Sequence, residues 1–393
     1  MGKLQSFEKP IGFRDLLPNI TAKKRWMENQ LQGLFHKWGY QEIVTPTLEY
    51  DETVGKASAI PSNKTFKLLD RLGHTLVLRP DMTAPIGRVV SSLLKNQDLP
   101  YRISYHSNVF RAQEHEAGRA AEFYQSGVEL IGEGTPDADA EVLVLAIESL
   151  KQVKVGAFRL VIGHTGFLQG VLAEWVTDQE VQTKMREALS EKNMVGYQQL
   201  VEEFVDSEKG QKVLQSLLSL QGDGAMLEQA LNIAVSHQAK QAIGELLEIW
   251  KLLKLYDVET YITFDLTLVP HLDYYTGMVF EGTTERIGFP ILSGGRYDTL
   301  LKAFDNSLAA TGFGLHMDRI LDVSEVQLPT ERRIKVIYDQ AHRDQALSYA
   351  FKLRREEQIM VETHRIEKNE KEVFKQSLEY PIEIITFIGE EEA

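Results

Sequence analysis

The chain has 393 residues, long enough for two or three domains, and its 43% apolar and 25% charged residues are ordinary for a soluble globular protein. It has no apolar run near twenty residues and no signal peptide, so we expect a cytoplasmic protein without a membrane span. The absence of cysteine excludes disulfides, thiolate catalysis and cysteine-based zinc sites. The net charge of −14 and the lack of a basic cluster argue against nucleic-acid binding.

Helical and strand patterns alternate in the first part of the chain. Apolar residues recur at helical spacing after Pro18, and Gly39 stands where this helix is expected to end. Short strands are predicted at Gln41–Val44 and Leu76–Leu78, and a helix is predicted from there to Leu94.

Two longer strands, Tyr101–Phe110 and Glu122–Ile131, are predicted on either side of a polar loop. A helix is expected around Val142–Ile147, and the Glu-, Gln-, Leu- and Lys-rich residues 167–255 predict a helical insertion. Further strands are predicted at Leu160–Gly163, Tyr261–Val269 and Met278–Glu281.

The last part of the chain begins with glycine-rich turns. Ser293–Asp298 is expected to lead into a helix, as is Thr311–Gly314, and a β-α-β pattern follows Pro329. We therefore expect a core at residues 1–325 with the insertion at about 167–255, and a small α/β domain at 330–393.

The sequence contains no phosphate-binding loop, no dinucleotide-binding glycine motif and no metal-ligand spacing among its ten histidines. We expect no cofactor and no metal. The remaining candidate residues are those that could bind a small polar ligand.

One such group is Asp81 and Thr83, which lie between a predicted strand and a predicted helix. A carboxylate and a hydroxyl at a helix start could hold an ammonium group, but they could equally cap the helix.

A second group lies on the predicted strand Glu122–Ile131. Gln125 and Glu129 share one face of this strand and stand about 13 Å apart, with Gly127 between them. A polar ligand could lie across the gap that the glycine leaves; the alternative is a solvated sheet face.

The paired aromatics Tyr274 and Tyr275 could flank a planar ring, or they could pack in the core beside a turn at Gly277. The glycines of 294–298 and 312–319 would let a ligand approach the backbone, and an arginine on the following helix could meet a phosphate. The alternative is a tight turn with a surface salt bridge.

The order and spacing of these stretches resemble the class II aminoacyl-tRNA synthetases, in the histidyl-tRNA synthetase branch. Gly12–Asp15 with its helix resembles motif 1, the dimer-forming element; Phe110–Gln125 resembles motif 2; Gly312–Arg319 resembles motif 3; and Leu272–Tyr275 resembles the histidine-specific motif. The resemblance covers roughly residues 10–325. It implies an α+β fold: an antiparallel sheet core flanked by helices, with a helical insertion and a small C-terminal α/β domain.

The positions that hold the amino acid in that family are largely kept, although Asp81 stands where the enzyme has glutamate. Glu129 is implied to bind the imidazole, and a tyrosine to flank it. Asp81, Thr83 and Gln125 are implied to hold the ammonium, and Arg111 the carboxylate. The implied histidine-binding set is Asp81, Thr83, Arg111, Gln125, Glu129, Tyr274 and Tyr275.

The activation machinery of the enzyme is altered. The synthetases carry Arg-Gly immediately before Leu-Asp-Tyr-Tyr, and this arginine assists attack on the α-phosphate; here the two places hold Pro270 and His271. Proline cannot stabilise a phosphoryl charge, and histidine is mostly neutral at pH 7. Gln113 replaces an adenine-reading glutamate, and Ala121 replaces a loop arginine. We therefore expect aminoacylation activity to be lost.

This combination, with a short C-terminal segment, resembles the synthetase-like regulatory subunits of ATP phosphoribosyltransferase. The resemblance implies a non-catalytic protein that partners the short-form catalytic subunit in the first step of histidine biosynthesis, with L-histidine as its effector. It also implies a homodimer, whose motif 1 helix we expect to expose Trp26, Phe35 and Trp38. Two alternatives stay open: a working histidyl-tRNA synthetase that uses His271, and a histidine-binding paralogue with another partner.

Overall fold

The structure, a computed structural model, describes residues 7–112, 120–270, 272, 274–329, 332–356, 359–366 and 382–388. The chain forms two compact units, Met1–Val326 and Gln327–Ala393. Within the described part, no helix is both long and apolar enough to cross a membrane.

The first unit combines a large sheet with helices, and its elements follow in chain order. Its helices are α1 (Pro18–Lys37), α2 (Thr83–Ser92), α3 (Pro136–Gln152), α4 (Thr165–Trp175), α5 (Gln179–Ser190), α6 (Met194–Phe204), α7 (Glu208–Ser216), α8 (Ala225–Ile233), α9 (His237–Leu255) and α10 (Met317–Val323). Its strands are β1 (Gln41–Glu42), β2 (Leu48–Tyr50), β3 (Lys67–Leu69), β4 (Thr75–Leu78), β5 (Tyr101–Phe110), β6 (Glu122–Ile131), β7 (Arg159–His164), β8 (Gln221–Gly222), β9 (Ile262–Asp265), β10 (Met278–Thr284), β11 (Ile287–Arg296) and β12 (Ala310–His316).

Among the described residues, nine strands form one mostly antiparallel sheet in the order β1-β5-β6-β12-β11-β10-β7-β9-β8. The long strands β5 and β6 have the predicted bounds and pair along their whole length. Because directly paired residues point to the same face, rows of side chains run across the sheet. One row contains Glu129, Gly312 and Gly295, and the next contains Tyr105, Gly127 and Gly314.

The two faces of this sheet have different coverings. One face carries Val128 and Phe313 and packs with α1, α3, α4 and α9 into the main apolar core. The opposite face carries the two rows just described, and a smaller apolar cluster around Ile103 and Ile86 covers part of it, where α2 packs. The rest of the second face is free to carry polar side chains.

Helix α1 has an apolar stripe at every fourth position. Met27, Leu31 and Phe35 are 0% exposed because the stripe faces the sheet. The expectation that Phe35 is exposed is therefore wrong: its ring stacks on His106 at 6.0 Å, between ring centroids. Trp26 and Trp38, from the same expectation, are partly buried against this core.

Three predicted elements are shorter than expected. The strand at Gln41–Val44 ends at Glu42. The strand at Tyr261–Val269 is β9, which stops at Asp265 because the Asp265 carboxylate accepts bonds from the Thr267 amide at 2.9 Å and hydroxyl at 2.6 Å and turns the chain. After Asp298 only a 3₁₀ helix forms, Leu300–Phe304, and it ends at Asp305 in the left-handed region at φ 55°.

The predicted helical insertion contains α4 to α9. Three of its helices, α5, α6 and α9, begin at Asp178, Asn193 and Ser236, whose side-chain oxygens accept backbone N–H groups of the first turn at 2.8, 2.9 and 3.2 Å. The two-residue strand β8 pairs with β9 at the edge of the main sheet.

The second unit is a small α/β arrangement. Its elements are β13 (Arg332–Tyr338), α11 (Arg343–Leu353), β14 (Ile359–Arg365) and β15 (Ile382–Phe387). The three strands are parallel, in the order β14-β13-β15, and Ile334 and Val336 pack with Ala346 and Ala350 of α11.

We predict that Phe35→Ala lowers the free energy of unfolding by about 3–5 kcal/mol, because it leaves a cavity between α1 and the sheet. Urea denaturation measures the change. Leu255→Ala is the control: this side chain is 78% exposed, so its effect should stay below about 0.5 kcal/mol. Equal effects of the two substitutions would contradict the placement of Phe35 in the core.

Candidate functional site

The seven candidate residues come from four parts of the chain. Asp81 and Thr83 lie at the start of α2, Arg111 follows β5, Gln125 and Glu129 lie on β6, and the two tyrosines precede β10. The Thr83 hydroxyl donates to Glu129 Oε1 at 2.8 Å, which joins α2 to the sheet. The fold thus brings these segments together on the helix-free part of the second sheet face.

Asp81 caps α2 and also faces the site. Its Oδ1 accepts the Ala84 N–H at 2.9 Å, as the capping interpretation predicted, and its Oδ2 accepts the Ser58 hydroxyl. Asp81 and Thr83 are 5% and 8% exposed, so both are held with little freedom. Capping and ligand binding are compatible here, because each carboxylate oxygen can accept more than one bond.

Glu129 is the most deeply buried acid of the group, at 2% exposure. Thr83 donates to one carboxyl oxygen, and the Tyr297 hydroxyl donates to the other. Burial raises the pKa of Glu129 to about 8, and Asp81 adds to the increase, while the two hydrogen bonds oppose it. At pH 7 the carboxyl of the free protein is therefore mostly protonated.

Glycines on neighbouring strands form the floor under these side chains. A Cβ at Gly312 would lie 2.0 Å from Glu129 Oε2, and one at Gly295 would lie 2.9 Å from Tyr275 Cδ1. Only glycine leaves room for the carboxyl and the ring to lie flat on the sheet.

The gap expected at Gly127 is not open. A Cβ there would lie 2.5 Å from the Tyr105 hydroxyl oxygen and 2.2 Å from the Phe313 carbonyl oxygen, so the Tyr105 ring covers this glycine. The prediction of an empty space between Gln125 and Glu129 is wrong, because it considered one strand and not its neighbour.

Tyr274 and Tyr275 lie outside regular strand structure, so strand alternation does not force them apart. Their ring centroids are 4.6 Å apart, and Tyr274 meets the Tyr297 ring edge-on at 5.6 Å. Both rings therefore line the site on the same side as Glu129. Asp273 of the same motif lies outside the described residues.

Arg111 and Gln125 have unused hydrogen-bonding capacity. In the part of the chain that the structure describes, the Arg111 side chain has one acceptor, the Pro80 carbonyl at 2.9 Å, and the Gln125 amide has no partner. The guanidinium carbon lies 5.2 Å from the Phe123 ring centroid. Burial lowers the pKa of Arg111, and the nearby Asp81 opposes this.

The position of the enzyme family's missing arginine is apolar. Pro270 lines an open hollow together with Leu272, Tyr275 and Glu281, and none of its described lining residues is basic. Ala121 is buried, and its N–H donates to the Gly12 carbonyl at 2.8 Å. His271 and Gln113 lie outside the described residues.

The arginines of the glycine-rich stretches serve the fold. Arg296 is buried and forms a bidentate pair with Asp139 at 3.0 Å for both bonds. Arg319 donates to the Pro290 carbonyl.

Sequence reasoning missed Tyr297 and Ser58 as partners of the two site acids. Tyr297 lies two residues after the glycine pair 294–295, and that motif was the available signal. No sequence motif marks the stretch that contains Ser58.

Known proteins share this architecture. The family model described as histidyl-tRNA synthetase matches residues 12–320. A solved structure from Bacillus halodurans C, described as an ATP phosphoribosyltransferase regulatory subunit/histidyl-tRNA synthetase, has a TM-score of 0.90 at 41% identity and covers 99% of this chain and 100% of its own. Histidyl-tRNA synthetase from Nostoc sp. PCC 7120 has a TM-score of 0.78 at 19% identity, covering 94% of this chain and 88% of its own. The predicted class II synthetase-like α+β fold is confirmed.

Closer sequence relatives decide between the synthetases and their regulatory relatives. The ATP phosphoribosyltransferase regulatory subunit of Geobacillus kaustophilus is 47% identical over 320 residues, 81% of each chain. The regulatory subunit of Bacillus subtilis is 44% identical over 88% of each chain. The chain belongs to the family of ATP phosphoribosyltransferase regulatory subunits. As a member of that family it is a regulatory subunit rather than a catalytic one.

We predict that Glu129 makes the stability of this regulatory subunit depend on pH. The unfolded carboxyl titrates near 4.5 and the folded one near 8, so the folded state holds its proton over a window where the unfolded state loses it. The raised pKa of Glu129 therefore contributes its whole stabilisation below pH 4.5. This contribution to the free energy of unfolding decreases as the pH rises from 4.5 towards 8, and it does not change further above pH 8.

Glu129→Gln should remove this component. The difference in unfolding free energy between wild type and variant, from urea denaturation at several pH values, should change between pH 4.5 and 8 and level off outside that range. A difference that does not vary across this range would contradict the raised pKa.

Proposed function

We propose that this chain is the histidine-sensing regulatory subunit of a cytoplasmic ATP phosphoribosyltransferase complex. It binds L-histidine in the described site and transmits feedback inhibition to the short-form catalytic subunit, in the first step of histidine biosynthesis. The proposal is supported by the hydrogen bond from Thr83 to Glu129, which joins the candidate residues, and by the hollow without a described basic residue at Pro270, where the enzyme family places its activating arginine.

The imidazole of histidine fits beside Glu129. The carboxyl is buried, positioned by Thr83 and Tyr297, and flanked by the rings of Tyr274 and Tyr275. A free imidazole has a pKa near 6.5 and Glu129 one of about 8. At a pH between these two pKa values, the Glu129 carboxyl carries a proton and the free imidazole does not. The carboxyl and the imidazole together then hold one proton, which is what a charge-assisted hydrogen bond between them requires.

The backbone end of histidine fits the other end of the site. Asp81, Thr83 and Gln125 offer a carboxylate, a hydroxyl and an amide for the ammonium group, all three less than 9% exposed. Arg111 offers its terminal nitrogens to the carboxylate. The unused capacity of Gln125 and Arg111 is what a ligand would fill.

Feedback requires that histidine bind the inactive assembly more tightly than the active one. The site is built from α2, β6, β11 and the segment before β10, so a ligand that orders these parts together can favour one arrangement of the subunit. The catalytic partner would respond to that arrangement.

We predict that Glu129→Gln weakens histidine binding about tenfold or more at pH 7, because the carboxyl that shares a proton with the imidazole in a charge-assisted bond is lost. Calorimetry on the subunit and inhibition curves on the reconstituted complex should agree, and the uninhibited rate should stay nearly unchanged. Wild-type affinity should be greatest between roughly pH 6.5 and 8 and should fall on both sides. The control is Glu248→Gln, whose side chain is 58% exposed and pairs with Lys251.

Two results would contradict the proposal. Unchanged histidine affinity and inhibition in Glu129→Gln would place the effector elsewhere. Histidine-dependent exchange of pyrophosphate into ATP by the purified chain would instead indicate a working synthetase.

We also propose that the subunit is a homodimer, and a small second sheet supports this. Strands β2, β4 and β3 pair in that order directly after motif 1. The register places five apolar residues on one face, opposite the buried Val77: Leu48, Tyr50, Leu68, Leu76 and Leu78. Leu48, Tyr50 and Leu68 are 43%, 51% and 46% exposed in the single chain. A contiguous apolar face of this kind is typical of an interface.

We predict that Leu68→Glu converts the dimer to a monomer, because it places an unpaired charge in this apolar face. Sedimentation at micromolar concentration measures the change. Leu255→Glu, at a position 78% exposed on α9, is the control and should remain dimeric. A stable wild-type monomer would contradict the proposal.

A further inference from the structure

Tyr105 is the exception among the buried tyrosines. The hydroxyls of Tyr40 and Tyr197 donate to Glu141 at 2.9 Å and to the Leu214 carbonyl at 3.1 Å. Tyr297 donates to Glu129, as described above. Tyr105 is 3% exposed, yet its hydroxyl has no hydrogen-bond partner among the residues that the structure describes. A tyrosine hydroxyl without a protein partner, on a ring that is otherwise buried, is available to bond a ligand.

The position of this hydroxyl indicates where such a ligand would lie. Tyr105 pairs with Gly127, and Gly127 pairs with Gly314 on the next strand. The hydroxyl oxygen lies 2.5 Å from the Cβ position of Gly127 and 3.2 Å from that of Gly314. The ring therefore reaches from β5 across β6 towards β12, flat on the sheet.

The hydroxyl lies between the two ends of the candidate site. Gln125 Nε2 is 3.4 Å from the same Cβ position at Gly314, and Glu129 lies two residues beyond Gly127 on the same face of β6. Burial raises the pKa of Tyr105 well above its usual value, and Glu129 and Asp81 add to this, so the group stays a neutral hydroxyl. A neutral hydroxyl can both donate and accept.

We infer that Tyr105 is a further ligand-binding residue, whose hydroxyl hydrogen-bonds the bound amino acid from the floor of the site between Gln125 and Glu129. The inference rests on the proposed function. It assigns the ligand a polar group over Gly127 and Gly314.

The test is Tyr105→Phe, which removes one oxygen and keeps the buried ring. Calorimetry with L-histidine should show about three- to tenfold weaker binding, the effect of one neutral hydrogen bond. The ligand-free variant should unfold at the same urea concentration as wild type or a higher one, because its hydroxyl has no partner to lose.

Tyr101→Phe is the matched control on the same strand and face. Tyr101 is 7% exposed, and its hydroxyl donates to the Leu94 carbonyl at 2.6 Å and the Gln97 carbonyl at 3.2 Å. This variant should lose stability without ligand and keep wild-type histidine affinity.

The outcomes separate the inference from the proposed function. Wild-type affinity in Tyr105→Phe, while wild type itself binds histidine, overturns the inference alone. A loss of ligand-free stability in Tyr105→Phe as large as that in Tyr101→Phe also overturns it, because the hydroxyl would then have a structural partner. If wild type binds no histidine at millimolar concentration, both the inference and the proposed function fail.

Discussion

The burial of one carboxyl group, that of Glu129, constrains the site more than any other interaction. A carboxyl at 2% exposure needs hydrogen-bond donors, and it receives them from Thr83 at the start of α2 and from Tyr297 after β11. It also needs space on the sheet, which Gly312 provides. Two separate segments, the start of α2 and the residue after β11, are thus held to β6 by one group.

The bonds that hold the candidate site together are independent of the position at Pro270. Helices α1, α3, α4 and α9 pack on one face, while the site lies on the other face beside α2 and is held by its own hydrogen bonds and glycines. None of the described bonds that position Glu129, Asp81 or Thr83 involves Pro270. A proline at that position therefore leaves the bonds of these three residues unaffected.

Local patterns predicted much of this fold, and the errors have a common cause. The bounds of β5 and β6 follow from their own side chains, and the four-motif order led to the correct fold class. The exposure expected for Phe35 and the gap expected at Gly127 were wrong, because each depends on a neighbouring element: the sheet under α1 in one case and the Tyr105 ring in the other. Tyr297 is 168 residues from Glu129 in sequence, so no local pattern could pair them.

Carbon-13 NMR of the Glu129 carboxyl, titrated with and without saturating L-histidine, tests the central claim most directly. In the free protein the resonance should titrate near pH 8, because the group is buried between two donors with Asp81 nearby. Histidine should shift this titration, because the imidazole and the carboxyl then share a proton. A midpoint near 4.5, or a titration that histidine leaves unchanged, would contradict the account.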